Sequence, residues 1–224
     1  MSLSNFSGRE YWTSRWANDI IPFHRPSLHP YLKKIDNLFT NKEKRLRVFF
    51  PLCGKMQEMK WFYEQGHQVV GVEIAEKAVR DFFNENNLPM IESYSSNYGC
   101  RLFETPDGRL RQYCTDIFAF LRSKPPPMDV VWDRASLCIM ASQEERHRYV
   151  ELMKTVLLPG YKYILTTFKH EDYSHTGPPY NVDDSDVMNL FGENSTLTKV
   201  SELVNDVTVA GIARLHEVTW YMEG

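Results

Sequence analysis

The chain has no CxxC pair. Its four cysteines, Cys53, Cys100, Cys114 and Cys138, are scattered, which argues against zinc-ribbon and thiol-redox motifs. No run of about 18 apolar residues is present, and the opening MSLSNFSGREYW lacks a basic-then-apolar leader pattern, so neither a membrane span nor a secretory signal is expected. A cytoplasmic chain with reduced thiols is the expectation. No excess of one charge stands out either. The net charge is −3 with acids and bases interspersed, and without a basic face a nucleic-acid partner is not expected. Repeats and low-complexity tracts are missing, apart from a surface turn at Pro125-Pro126-Pro127.

What is present alternates. RLRVFF (45–50), HQVVGVEI (67–74), MDVVWDR (128–134) and KYILTTFKH (162–170) read as strands. Between them, 55–65, 75–87 and 142–157 read as helices. In the second of these, Ala75, Ala78, Val79, Phe82 and Phe83 fall on one helical face. Ser142 and Glu145 make a capping box for the third, and Pro159-Gly160 is its expected stop. RLFETPDGRLRQYC (101–114) reads as a hairpin, and 171–184 as a loop leading to a short helix that ends at Phe191-Gly192. TLTKVSELV (196–204) and IARLHEVTWYM (212–222) read as two closing antiparallel strands. Residues 31–44 are the one linker candidate. Strand–helix alternation predicts an α/β fold with a mainly parallel sheet and helices on both faces. Residues 1–224 are expected to form a single domain. Its head is a flap, residues 1–30, rich in aromatics and broken by Pro22, Pro26 and Pro30.

In such sheets ligands sit beyond the carboxyl ends of the strands. RVFFPLCGK (47–55) stops there abruptly. It lacks the G-x-G-x-x-G of a dinucleotide site and the G-x-x-x-x-G-K-[ST] of a P-loop. A ligand without phosphates is the alternative, and S-adenosylmethionine is one, because a single glycine, Gly54, suffices for close backbone approach. Glu73 ends the next strand, where a Rossmann-like fold sets an acid against ribose hydroxyls; it also suits a helix N-terminus as a plain acid. Asp116 can accept from an adenine amine, with Ile117 on the ring, or cap the helix that follows; the roles are compatible. Arg134 can pair with the carboxylate of the donor tail or with an anionic acceptor, or form an ordinary surface pair. Trp132 reads as core. His24 and Cys53 read as packing and turn residues, and no metal cluster is expected.

RVFFPLCGK, EMKWF, GHQVVGVEI, WDR, HTGPPY and LFG, in that order, resemble the thiopurine S-methyltransferase family from about Trp12 to Gly192. The resemblance implies a Rossmann-like class I methyltransferase fold with a seven-stranded sheet ending in an antiparallel hairpin. It implies S-adenosylmethionine as donor and S-adenosylhomocysteine as product. Trp12, Trp16, Phe23, Leu52, Gly54, Glu73, Asp116, Ile117 and Arg134 fall on cofactor positions, with Phe23 and Arg134 also near the acceptor. The expected activity is S-methylation of small aromatic or heterocyclic thiols, by a monomer. Two features depart from the family. Thiopurine-active members carry an Arg-His pair shortly before a Gly-Ile; here Gly211-Ile212 follows NDVTVA (205–210), and no basic residue lies between Lys199 and Arg214. Ala75 stands where the family tends to have a capping serine. The alternatives are therefore another small nucleophile (a halide, an aliphatic thiol, a selenium or tellurium anion) or a non-catalytic donor-binding protein. Because the donor is already activated and an aromatic thiol ionises easily, no residue is assigned as a general base.

Overall fold

The computed structural model describes residues 8–40, 44–172, 174–192, 196–205 and 211–224. The centre of the molecule is β1 (Arg47–Pro51). Val48, Phe49 and Phe50 are all fully buried, as a continuous apolar run must be when both sheet faces are covered. Phe49 faces one side and stacks on Phe120, 5.8 Å between centroids. Phe50 faces the other and meets Phe62 edge-on at 5.9 Å.

Around β1 lie β2 (Gln68–Glu73), β3 (Ile91–Ser95), β4 (Cys100–Glu104), β5 (Leu110–Cys114), β6 (Met128–Arg134), β7 (Leu157–Lys169), β8 (Thr198–Asn205) and β9 (Leu215–Glu223). They form one nine-stranded sheet in the order β3-β4-β5-β2-β1-β6-β7-β9-β8. The run from β5 to β8 matches the expected seven strands, with β9 antiparallel between β7 and β8. The predicted hairpin over 101–114 is β4–β5, and its return arm joins β2 in parallel. β3 extends that hairpin and is the strand the sequence pattern did not suggest. Ile91 to Tyr94 are all exposed, so no alternation marks it.

The helices are α1 (Arg9–Ala17), α2 (Leu32–Ile35), α3 (Gln57–Glu64), α4 (Glu76–Glu85), α5 (Ile117–Arg122), α6 (Gln143–Lys154) and α7 (Asp184–Phe191). Their apolar sides fill two cores. Phe120, Tyr149, Met153 and Leu190 pack on one face of the sheet. Met59, Phe62, Phe82 and Phe83 pack on the other, together with Trp132. Among the described residues no helix is long and apolar enough to cross a membrane.

Two expectations need correction. Residues 31–44 are not a linker where they are described: Tyr31, Leu32, Ile35 and Phe39 are buried, and His67 Nε2 lies 2.6 Å from the Phe39 carbonyl oxygen. Pro159-Gly160 does not stop α6, which ends at Lys154. These residues bulge within β7, whose pairing moves from Met128↔Leu157 to Val130↔Lys162. The backbone N–H groups of Gly160 and Tyr161 both donate to the Gly224 carbonyl, so the bulge keeps its hydrogen bonds. The Ser142 cap forms, with its hydroxyl accepting from the Glu145 N–H at 3.1 Å, while Glu145 reaches back to the Ala141 N–H.

Candidate active site at the strand ends

After Pro51 the backbone turns through two left-handed positions, Leu52 (φ +48°) and Gly54 (φ +48°). The turn is pinned to β2: the Cys53 N–H donates to the Val72 carbonyl at 2.9 Å, and the Gly54 N–H donates to Glu73 Oε2 at 2.8 Å. Glu73 Oε1 accepts from the Ile74 and Ala75 N–H groups, both at 2.8 Å. A carboxylate oxygen has two lone pairs, so three of four sites are filled and one remains, on Oε2. Glu73 thereby fixes the turn that leads into α4, whose N-cap, Ala75, has no side-chain cap hydrogen bond. Burial raises its pKa against the pull of the three N–H donors. The one glycine amide that a phosphate would seek is already bound, and a carboxylate stands beside it. The corner disfavours a pyrophosphate and suits a ligand carrying positive charge.

The flap covers this corner. α1 lays Trp16 across Gly54, so a Cβ on Gly54 would stand 2.9 Å from Trp16 Cζ2. Trp16 also packs on Ala75 and Ala78; a small residue at 75 leaves room for the indole. Phe23 meets Trp12 and Trp16 edge-on, at 5.6 and 5.8 Å between centroids. Beneath them lies a cavity lined by Trp12, Trp16, Phe23, Leu52, Gly54, Glu73 and Arg134. Seven of the nine residues expected at the donor therefore share one space. Asp116 and Ile117 do not line it. Asp116 Oδ1 accepts from the Ala119 N–H at 2.9 Å and caps α5, and Ile117 is buried in the core. Both sit on the same sheet edge, next to Glu73, whose carbonyl accepts from the Thr115 N–H.

The far wall is basic. Arg134 Nε donates to Glu217 Oε1 at 2.9 Å, and Nη1 donates to the Phe23 carbonyl at 3.0 Å; its guanidinium lies over the Phe168 ring. Arg15, Arg25 and Lys55 also line the cavity. Their presence was not expected: no pattern in the flap singles out Arg15 and Arg25, and Lys55 follows Gly54 in RVFFPLCGK. Trp12 Nε1 and Arg15 Nε are buried without a hydrogen-bond partner, as donors awaiting a ligand would be. His24 also lines the cavity; burial and then Lys55 push its pKa down to about 4, so it is neutral at pH 7 and a poor general base. Cys53 is fully buried and its thiol pKa is pushed well up by burial, which agrees with a turn residue. The segment 205–210, where the family's basic pair is missing, lies outside the described residues apart from the backbone of Asn205; Ile212 beyond it is buried.

A family model described as Thiopurine S-methyltransferase (TPMT) matches residues 8–224. The thiopurine S-methyltransferase of Bos taurus is 41% identical over 184 residues, 82% of this chain and 75% of that one. That of Rattus norvegicus is 38% identical over 193 residues, 86% of this chain and 80% of that one. Among solved structures, the 1,6-didemethyltoxoflavin-N1-methyltransferase of Burkholderia thailandensis, with 1,6-didemethyltoxoflavin and S-adenosylhomocysteine bound, aligns with a TM-score of 0.64 at 12% identity over 96% of this chain and 86% of that one. The magnesium protoporphyrin IX methyltransferase of Synechocystis PCC 6803, with S-adenosylmethionine bound, gives 0.59 at 13% identity over 96% and 94%. At such identities the likeness is one of fold.

Proposed function

Because this chain belongs to the thiopurine S-methyltransferase family, we propose that the cavity beneath the flap is where a small aromatic or heterocyclic thiol, thiopurine-like, receives its methyl group. The chain is an S-adenosylmethionine-dependent methyltransferase with a Rossmann-like class I fold. The observation that carries the site assignment is Glu73, which closes the Gly54 amide and turns a would-be phosphate cradle into an acidic corner.

When bound, S-adenosylmethionine supplies an activated methyl on a sulfonium. The work left to the protein is placement. The free lone pair on Glu73 Oε2 supports a ribose hydroxyl contact. Asp116 Oδ2, not used in capping α5, supports a contact to the adenine amine, with Ile117 beside it. Arg134 retains Nη2 for a donor carboxylate or an anionic acceptor, since Nε and Nη1 are engaged. Trp12, Trp16 and Phe23 exclude water from the cavity. Holding two reactants in line in a dry space contributes about 7–11 kcal/mol. An aromatic thiol ionises easily and the thiolate is the nucleophile, so neutral His24 is not required as a base. Residues 1–224 read as one methyltransferase domain with residues 1–30 as its lid; a sheet that runs from Arg47 to Glu223 supports this.

Radiolabelled methyl transfer from S-adenosylmethionine tests the reading. 6-Mercaptopurine and thiophenol should give higher kcat/KM than iodide, a short alkyl thiol or selenide. Preference for a small anion would transfer the assignment to that acceptor class, consistent with the missing basic pair. Donor binding without turnover on any acceptor would reduce the chain to a binding protein.

A further inference from the structure

We infer that Glu217 is a positioning residue, whose buried carboxylate fastens the flap to Arg134 and selects the guanidinium nitrogen that faces the cavity. Glu217 lies on β9, paired in register with Phe168 of β7, and its side chain is 1% exposed. Three cationic or ring-nitrogen partners converge on it. Arg25 Nη2 donates to Oε2 at 2.6 Å. Arg134 Nε donates to Oε1 at 2.9 Å. His29 Nε2 lies 3.2 Å from Oε1 without hydrogen-bond geometry; His29 Nδ1 accepts from the Tyr31 N–H, which leaves the ring proton on Nε2.

Two of these partners belong to the stretch that leads out of the flap, and the third to the wall of the cavity. The His29 backbone N–H is held in addition by Glu58 Oε1 at 2.6 Å. Arg134 is caught between β9 and the flap, because its Nη1 holds the Phe23 carbonyl. Nη2 is the nitrogen left over. A buried ion cluster is not needed for a stable core, since apolar residues of similar volume in place of the whole cluster serve as well or better. Here the acid ties a lid to a ligand-facing arginine, and that is a positioning task. The inference rests on the proposed role of the flap and Arg134, although its test is read first without any ligand.

The experiment compares wild type, Glu217→Gln, Arg25→Met and the double variant by amide hydrogen exchange in the ligand-free protein. The probes are the His24, His29 and Tyr31 amides, with Val48, Phe49 and Val70 as core references. Either single substitution should speed exchange at the flap probes by roughly tenfold or more, with the core references unchanged. The double variant should match Glu217→Gln alone, because both changes break one link. Calorimetric titration with S-adenosylhomocysteine should show Glu217→Gln binding at least roughly tenfold more weakly. Unchanged flap exchange, or effects that multiply independently in the double variant, would overturn the inference. If Glu217→Gln does not fold, Arg25→Met decides alone: faster flap exchange over an unchanged core supports it, and no change overturns it. Failure of the wild type to bind S-adenosylhomocysteine would instead refute the proposed function, while the exchange comparison still decides the role of Glu217.

Discussion

At Gly54 the backbone has φ +48° and a Trp16 ring carbon 2.9 Å from where a Cβ would stand. Gly54→Ala therefore meets strain and a clash together. We expect about 1–3 kcal/mol lower stability in urea unfolding, and weaker binding of S-adenosylhomocysteine, because the indole must move. His24 gives a pH signature. Its folded pKa, about 4, lies below its ordinary 6.5, so the unfolded chain binds the proton more tightly. The neutral ring carries no penalty above pH 6.5, and stability declines as pH falls from 6.5 towards 4. His24→Asn should flatten that part of a stability–pH curve, and a nuclear magnetic resonance titration should place the wild-type midpoint near pH 4. Glu73 and Gly54 stood out in the sequence because their spacing follows from the geometry of a strand–turn–helix corner, whereas Leu52 came from the family resemblance alone. That Glu73 gathers the Gly54, Ile74 and Ala75 N–H groups was not legible, since three backbone donors meeting one carboxylate is a fact of folding rather than of spacing.

Among the elements, β2 packs closely against the corner at Gly71. A Cβ on Gly71 would lie 2.9 Å from Cys53 Sγ, 3.1 Å from Gln112 Cγ and 3.2 Å from Met59 Sδ. Gly71→Ala should cost about 1–3 kcal/mol, and Cys53→Ala should recover part of that loss; a double-mutant cycle on thermal unfolding measures the coupling. β1, β2, β6 and α4 could be read in advance because each has one strong period or one unbroken apolar run. β3 could not: it is an edge strand exposed along its length. Of β7 only the part from Lys162 was read, because its first residues run through Pro159-Gly160, which usually end an element but here form a bulge. The buried stretch Tyr31–Phe39 follows Pro30 and spaces its apolar residues over a four-residue helix and a 3-10 turn, too short for any period to show.

Across the whole molecule, the Glu217 cluster was invisible to sequence reading because it joins residues 192 and 83 positions apart. Its only local trace is an acid at an inward position of LHEVTWYM. Its neighbours, His29, Arg134 and Arg25, hold its carboxyl well below the usual carboxylate range despite burial. A depressed acid contributes stability above its ordinary pKa of 4.5 and loses it as pH falls through the folded value. Glu217→Gln should therefore flatten the acid limb of the stability curve below about pH 4.5, measured by urea unfolding at successive pH values. Ligand linkage gives a global readout as well: S-adenosylhomocysteine at 100 times its Kd should stabilise the fold by about 2.7 kcal/mol.

The most direct test is calorimetric titration of S-adenosylmethionine into wild type and Glu73→Gln. Gln keeps the side-chain shape but sets an amide where the carboxylate holds the Gly54 N–H and, in the proposed function, meets the ribose. We predict that the variant stays folded and that its Kd rises by roughly tenfold or more, the loss of a charge-assisted hydrogen bond. A folded Glu73→Gln protein that binds the donor as tightly as wild type would contradict the account.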